Sequence, residues 1–435
     1  MAETLTAKEK AFNHEDGQGV IEKLEGIREA LATGFGPTGR KCYSFHINGS
    51  ESDPASMINY MDDAVGMTPA KMDLTTGVFS WGSWRNAFFI PKPCMVKYDG
   101  SRDYYLDEND YTKKEDGSAS DVANLDYGGN AMMEWGRDNT IIWIRVKADA
   151  SSDDSGTVSI ANYKVNDEFH AWNFYDKNNV LKDHFYTPIY QGCVDDSGRL
   201  RSISGQVHCK NKNASGEMAA AALNGDKWTI ETFADRMLFT FILYLMGKST
   251  ATQEVFGLGH STDSWTEANL LKSGTMDKKG LFFGNSNSGT GGDGVKVLGM
   301  ENPWGDQWRR MAGLINNKGV ISYKLTRGTA DGTSVSDYNI TAEGYKTING
   351  KTPSGTSGGY INKCVFNDDS MFPITASGSD STFYCDGLWL NNGQLNFACV
   401  GGALGDGRHC GALCFALHYP PSTARWDLGA SVSCR

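Results

Sequence analysis

The sequence predicts an α+β fold that is dominated by short strands and long loops. From Lys41 onward, short aromatic or β-branched runs alternate with turns rich in Gly, Asp, Asn and Ser, which is the pattern of a strand-rich domain. The chain has 435 residues with 51 Gly, and few segments have the periodicity of an amphipathic helix. Hydrophobic residues make up 40% and charged residues 21%, so a large core is expected rather than disorder.

Individual elements follow from local patterns. Apolar or aromatic runs predict strands at residues 42–47, 87–90, 141–146 and 387–390. Two helices are predicted, at 55–65 after the turn Ser-Asp-Pro and at 230–246, with Gly247 marking the C-terminus of the second helix. The Gly/Ser/Asn/Thr-rich segments 284–294 and 350–359 predict exposed loops.

The first 39 residues form a separate predicted segment. Val20, Leu24, Ile27 and Leu31 recur at helical spacing and predict a short helix that attaches or oligomerises the chain. The Gly-Phe-Gly-Pro-Thr-Gly run at 34–39 predicts a hinge. Residues 40–435 are predicted to form one domain, and this domain can include an inserted subdomain before Val295.

Charge and targeting signals narrow the function classes. The net charge of −11 and a pI of about 5.3 argue against nucleic acid as the main partner. No basic run suggests binding to anionic membranes.

The polar N-terminus has no apolar signal region, so we expect synthesis in a cytoplasm. The apolar run 237–246 is too short for a bilayer and predicts a buried helix. The 10 Cys show no tight framework, and we expect mostly reduced, buried thiols.

No catalytic or metal-binding constellation stands out in the sequence. His409, Cys410 and Cys414 lie close together but lack paired metal-ligand spacings, and the two cysteines alternate with small residues as buried strand residues would. Glu301 and Asp306 flank Trp304, which predicts a polar turn with two core indoles. We therefore expect a protein without catalytic residues, cofactor or metal.

The C-terminal segment 398–435 is the most informative part of the chain, because two sets of residues interleave in it. The first set consists of turn formers, small residues and core aromatics, which suit a rigid frame: Gly401, Gly402, Gly407, Cys410, Gly411, Phe415, Pro420, Pro421, Ser422, Trp426, Gly429 and Arg435. The second set mixes charged, aromatic and small residues without periodicity: Gly405, Asp406, Arg408, His409, His418, Tyr419, Thr423, Arg425 and Asp427. Ala403, Leu404 and Ala416 fit either set. Ordinary surface loops would also give such a mixture.

The first set closely resembles the frame of the variable region in proteins diversified by retroelements, a family that includes phage tropism determinants. Residues 295–313 look like the Trp-containing segment of C-type-lectin folds of the formylglycine-generating-enzyme type, and 45–70 and 88–107 resemble gut-phage tail and lectin-like proteins. The resemblance implies a C-type-lectin-like domain in which the second set varies and binds ligand. It also implies that the frame's stability resides in Trp304, Trp308, Phe415 and Trp426.

The genetic code offers one check on this resemblance. Adenine mutagenesis of AAC codons cannot produce Lys, Gln, Glu, Met or Trp, and none of these occurs at the nine positions of the second set. No β-prism-like N-terminal module of the kind present in the tropism determinants is evident, which is a departure from the family.

The resemblance implies a phage receptor-binding protein at the virion tail fibre or tail tip, made in the bacterial host. Its expected partners are a host cell-surface protein or glycan, other virion tail proteins, and copies of itself, with a trimer expected from the relatives. Two alternatives remain at this point. One is a non-diversified structural or decoration protein of the virion. The other is an enzyme of the formylglycine-generating type, which would require a reactive cysteine pair.

Overall fold

A computed structural model describes residues 39–284 and 294–435 of the chain. The predicted N-terminal helix, the hinge up to Thr38 and nearly all of the loop predicted at 284–294 lie outside the described residues. Residues Cys42–Arg435 form one unit. Within the described residues no helix is long and apolar enough to cross a lipid bilayer.

Strands dominate the described residues, as the sequence predicts. In chain order they are β1 (Cys42–Ile47), β2 (Ile58–Asp62), β3 (Lys71–Asp73), β4 (Val78–Ser80), β5 (Lys92–Lys97), β6 (Arg102–Tyr105), β7 (Gly129–Trp135), β8 (Trp143–Ala148), β9 (Gly156–Ala161), β10 (Phe185–Pro188), β11 (Cys193–Val194), β12 (Leu200–Arg201), β13 (Trp228–Ile230), β14 (Lys296–Val297), β15 (Met300–Glu301), β16 (Trp308–Asn317), β17 (Val320–Tyr323), β18 (Lys346–Thr347), β19 (Ser354–Gly355), β20 (Gly359–Phe366), β21 (Met371–Ala376), β22 (Gly387–Leu390), β23 (Leu395–Val400), β24 (Phe415–Leu417), β25 (Leu428–Ala430) and β26 (Val432–Cys434).

Helices are few and short by comparison. The α-helices in the described residues are α1 (Ala214–Ala222), α2 (Phe233–Gly247) and α3 (Thr252–Phe256). Single 3₁₀ turns occur at Arg137–Asn139, Trp172–Phe174, Glu267–Asn269 and Gly407–His409.

The strands assemble into three larger sheets and three two-stranded ribbons. The sheet orders are β2-β1-β9-β8, then β13-β26-β10-β7-β5-β6, and a ten-stranded sheet β18-β17-β16-β23-β24-β22-β20-β21-β19 in which β25 also pairs with β16. The ribbons are β3-β4, β11-β12 and β14-β15. The last strands of the chain therefore belong to the two largest sheets: β24 and β26 have a paired strand on each side, and β25 pairs with β16.

Helix α2 is the buried helix that the sequence predicts, although it begins three residues later than expected. Thr232 caps its N-terminus, since the Thr232 hydroxyl accepts the Asp235 N–H at 3.3 Å and the Asp235 carboxylate accepts the Thr232 N–H at 3.1 Å. Its residues from Phe233 to Met246 are buried, and it packs against β1, β2, β16 and α3. Burying each large apolar side chain stabilises the fold by about 1.5–3 kcal/mol, so α2 is a main contributor to the core.

The end of α2 differs from the prediction. Gly247 is its last helical residue, and Lys248 adopts the left-handed conformation that ends the helix, at φ 49°. A side chain at Gly247 would lie 2.9 Å from Val255 of α3. Gly247 therefore allows close helix packing, whereas the cap itself is Lys248.

Two sequence predictions are wrong. Residues 55–65 are not a helix: the Asp53 carboxylate accepts the Ser56 N–H in one capped turn, and the chain then extends into β2, which pairs with β1. Residues 87–90 are not a strand but a buried turn in which the Ile90 N–H donates to the Ala87 carbonyl, and a preceding turn is closed by the Ala87 N–H and the Trp84 carbonyl. In both segments the backbone forms hydrogen bonds that cannot be predicted from the local amino-acid composition.

The other predicted elements agree more closely. Residues 42–47 and 387–390 are strands with the predicted bounds, and the strand predicted at 141–146 lies two residues later, as β8. The loop predicted at 350–359 is irregular apart from the two residues of β19 and the start of β20. All ten cysteines are free and nine are buried, as expected.

The buried guanidinium of Arg236 links α2 to two distant segments. It donates hydrogen bonds to the carbonyl oxygens of Ala412 at 2.6 Å, Gly411 at 2.7 Å and Pro303 at 2.8 Å. Burial, with the charge of Arg309, lowers its pKa to about 10, so it stays protonated at neutral pH.

We predict that Arg236→Met lowers the free energy of unfolding by about 3–5 kcal/mol, because three buried carbonyl groups lose their donor. Urea unfolding followed by tryptophan fluorescence measures the change. The control is Lys164→Ala, which removes an exposed ion pair with Asp167 and should change stability by less than about 0.5 kcal/mol. Equal stability of the Arg236→Met variant and the wild type would contradict the linking role.

Candidate ligand-binding surface

The C-terminal segment consists of strands of the two largest sheets joined by two loops. The first loop (401–414) connects β23 to β24, and the second loop (418–427) connects β24 to β25. Strand β24 pairs with β22 and β23, β25 pairs with β16, and β26 lies between β10 and β13. The frame is thus made of backbone pairing, and the two loops are the irregular parts between paired strands.

Buried groups outside the segment hold the first loop. Besides Arg236, the Ser261 carbonyl accepts the N–H groups of Gly405 at 3.0 Å and Gly407 at 2.6 Å. The Gln253 amide donates to the Gly407 carbonyl at 3.2 Å. These contacts use the loop backbone and leave its side chains free to differ.

The second loop is held in the same way. Arg310, which is fully buried, pairs with Glu217 at 2.7 Å and donates to the carbonyl oxygen of Thr423. The Gln307 amide donates to the Trp426 carbonyl at 2.8 Å. Burial raises the pKa of Glu217 to about 7, which the charge of Arg310 opposes.

An acidic centre lies under the first loop. The Asp306 carboxylate is fully buried, 2.7 Å from His260 and 2.7 Å from His208, and His260 is 3.3 Å from Asp263. Burial acts to raise the pKa of Asp306, but the two histidines hold it below its usual value. Burial acts to lower the pKa of His260, but the carboxylates raise it. The predicted polar turn at Glu301 and Asp306 is therefore buried, with Trp304 and Trp308 in the core as expected.

Six of the nine predicted variable residues have side chains that reach solvent, and of these His409 also contacts the first loop, with its Nδ1 3.0 Å from the Asp406 carbonyl oxygen. Arg408 and Arg425 are exposed, and His409, His418, Tyr419 and Thr423 are half-buried. Arg408 lies 3.6 Å from the carboxylate of Glu254. Arg408 and His409 lie on the first loop, and the other four lie on the second.

Four other predicted positions do not face solvent. Ala403, Leu404, Ala416 and Asp427 are completely buried, so the prediction that they contact ligand is wrong in this structure. The Asp427 carboxylate accepts two hydrogen bonds from Arg425, at 2.7 and 2.9 Å. Asp427 therefore orients Arg425, and the three apolar residues belong to the frame.

Gly405 is exposed, but it is not freely interchangeable. Its φ of 88° is a left-handed conformation that strains other residues, and a Cβ there would lie 2.8 Å from the ring of Trp265. Gly405 contributes backbone to the surface, and the neighbouring indole covers it.

Asp406 has a structural role within the first loop. Its carboxylate accepts the Ala403 N–H at 2.8 Å and closes a short turn. Burial raises its pKa to about 7, and the charge of Asp427 adds to the shift. At neutral pH this carboxyl is therefore partly protonated.

Aromatic rings surround the exposed residues. His409 stacks on Tyr360 with ring centroids 4.0 Å apart, and Trp389 lies 5.5 Å from His409. His418 packs on Tyr419 at 3.8 Å. Burial, with the charge of Arg425, lowers the pKa of His418 to about 4, so this ring is neutral at pH 7.

Trp426 was predicted to be a core residue of the frame, and this prediction is wrong. It is half-buried, and its ring lies 6.0 Å from that of Trp265 at an angle of 71°. Trp304, Trp308 and Phe415, by contrast, are buried as predicted. Indoles that reach solvent are anchors in many binding surfaces, so Trp426 joins the candidate site.

Sequence reasoning missed Trp265, Tyr360 and Trp389, since all three lie upstream of the segment. Trp265 offered one signal, because it stands among polar residues in Thr262-Asp-Ser-Trp-Thr-Glu. Tyr360 and Trp389 lie on β20 and β22, where strand composition alone gives no sign of a site.

The two cysteines of the first loop are poorly suited to act as nucleophiles. Cys410 and Cys414 are completely buried, and burial raises the pKa of both thiols well above the usual value. Both lie in the first loop, although the sequence predicted that they would be buried strand residues. In residues 39–284 and 294–435 no three His, Cys, Asp or Glu side chains are grouped so as to hold a metal ion.

No protein-family model matches the chain, and no characterised protein matches it in sequence.

We predict that Asp406 makes stability fall as pH rises. A carboxyl whose pKa is raised on folding keeps its proton in the folded state between about pH 4 and pH 7, so folding becomes less favourable across that window. Asp406→Asn keeps an acceptor for Ala403 but cannot ionise. The wild type should therefore lose thermal stability relative to this variant between pH 4.5 and pH 8, and parallel curves of melting temperature against pH would contradict the assignment.

Proposed function

We propose that this protein is a phage receptor-binding (tropism) protein. Its C-terminal domain would be a C-type-lectin-like frame, and the two loops at 401–414 and 418–427 would bind a protein or glycan on the host cell surface. The protein would belong to the virion tail fibre or tail tip, together with other tail proteins and copies of itself.

One observation carries the proposal. The backbones of both loops are held by buried side chains from outside the segment, chiefly Arg236 and Arg310, while Arg408 and Arg425 extend into solvent. A receptor-binding surface that changes between variants needs this separation, because new side chains must not disturb the fold. The interleaved sequence and its resemblance to retroelement-diversified proteins give independent support.

Recognition at this surface would use forked and aromatic groups. Arg408 and Arg425 offer planar donors, and Tyr419 offers a ring over which Arg425 lies at 5.7 Å. Arginine and tyrosine are enriched among residues that dominate binding energy. Display of several copies on one virion would multiply a weak single-site affinity.

The enzyme alternative is disfavoured by the chemistry of the cysteines. A reactive thiol needs access and a lowered pKa, and Cys410 and Cys414 have neither. The alternative of a structural virion protein makes a different genetic prediction, given below.

We predict that Arg408→Ala weakens cell binding at least tenfold and shifts the melting temperature by less than about 2 °C. The side chain is 48% exposed, so its loss removes a ligand contact without opening the core. The labelled full-length chain is incubated with a panel of bacterial species, and the variants are compared on a species that binds the wild type.

The matched control is Arg137→Ala, because Arg137 is similarly exposed, at 44%, on a different element. It should bind as the wild type does. Loss of binding in both variants, or in neither, would contradict a receptor site at the first loop.

We predict that the DNA beside the coding sequence carries a near-copy of its 3′ end next to a reverse-transcriptase gene. The near-copy should contain adenines at codons for the solvent-facing positions, above all Arg408, His409 and Tyr419. Sequencing clonal isolates should then find changes there and none at Trp304 or Phe415. A structural virion protein predicts neither the near-copy nor such variation.

A further inference from the structure

Two indoles meet at the junction of the two loops, and one of them comes from far upstream in the chain. Trp265 lies just before the 3₁₀ turn Glu267–Asn269 and is 40% exposed. Trp426 lies on the second loop, with its ring centroid 6.0 Å from that of Trp265 and the planes at 71°. The indole pair (Trp265 and Trp426) therefore presents two walls at a wide angle.

The indole pair is held in position before any partner arrives. The Asp263 carboxylate accepts the Ser264 N–H at 2.6 Å and the Asn269 amide at 3.0 Å, which closes the turn that carries Trp265. The ring of Trp265 covers Gly405, where even a methyl group would approach to 2.8 Å. Pre-ordered aromatic groups lose little conformational entropy on binding, so such a pair is a strong anchor.

Charges of both signs lie around the indole pair. Arg425 is 43% exposed, but it binds the buried Asp427 carboxylate with two hydrogen bonds. Arg408 is 48% exposed and lies 3.6 Å from the exposed carboxylate of Glu254. Glu267, on the turn that follows the first indole, is 45% exposed. The indoles are therefore the largest apolar groups on a surface of mixed charge.

We propose that the indole pair is the anchor of the receptor site and that its occupant is an apolar side chain of a receptor protein. This inference rests on the proposed function and specifies its partner class. Tryptophan, tyrosine and arginine together are typical of protein–protein hot spots.

The test uses the labelled full-length chain and a bacterial species that binds it. Trp265→Ala and Trp426→Ala are each expected to weaken cell binding at least tenfold, and Trp265→Phe is expected to have a smaller effect. Trp143→Ala is the matched control, because Trp143 is a half-buried indole on β8 in another sheet. Circular dichroism and melting curves confirm that each variant is folded. The cells are also treated with protease or with periodate, which remove surface proteins or oxidise surface glycans.

Each outcome decides a different point. Loss of binding in Trp265→Ala and Trp426→Ala but not in Trp143→Ala, together with loss after protease treatment, supports the inference. Loss after periodate but not protease overturns the protein partner in favour of a glycan. Wild-type binding by both indole variants, with loss in Arg408→Ala, overturns the anchor and leaves the proposed function intact. Failure of the wild-type chain to bind any species in the panel overturns the proposed function and this inference with it.

Discussion

The guanidinium of Arg236 is the contact on which the C-terminal architecture depends. A buried helix satisfies its own backbone, so α2 can hold an irregular loop only through its side chains. Arg236 supplies three donors at once, to Pro303 and to the adjacent residues Gly411 and Ala412 of the first loop. Three carbonyl oxygens offset the removal of the cation from water, and without them the loop would carry unpaired buried carbonyls. The position of the first loop thus follows from the core and does not depend on the loop's exposed side chains.

The same arrangement recurs below both loops with different groups. Arg310 and Gln307 reach the second loop through the carbonyls of Thr423 and Trp426, and Ser261 reaches the first loop through its own carbonyl. Together with Arg236, these buried polar groups come from three separate parts of the chain, so the binding surface forms only when the domain folds as a whole. A surface built in this way tolerates substitution at exposed positions, because the contacts that fix it are made elsewhere.

The sequence was informative where local patterns determine structure. Helix α2 has a capping residue and a long apolar run. Strands β1 and β22 are apolar or aromatic runs between turns, so the positions of all three elements could be predicted. Residues 55–65 and 87–90 were misassigned because pairing with β1 and burial among aromatic rings decide their conformation, and both are long-range effects. In the candidate site, Arg408 and Arg425 were singled out by the interleaving of two residue sets together with the family resemblance, because composition alone fits an ordinary surface loop. The burial of Asp427 could not, because it depends on pairing with Arg425, and Trp265 lies some 140 residues before the segment that it joins.

These contacts also narrow what diversification could change, if the proposed function holds. Replacing Asp427 would leave Arg425 without its bidentate partner, and replacing Gly405 would force a side chain against Trp265 in a strained conformation. Free variation is then confined to side chains such as Arg408, Tyr419 and Thr423, which do not hold the loop backbone. Trp265 lies against Gly405 of the first loop and Trp426 belongs to the second loop, so the indole pair would stay constant while its surroundings change. A constant apolar anchor beside variable polar groups would give each variant a basal affinity, and the variable groups would select among receptors.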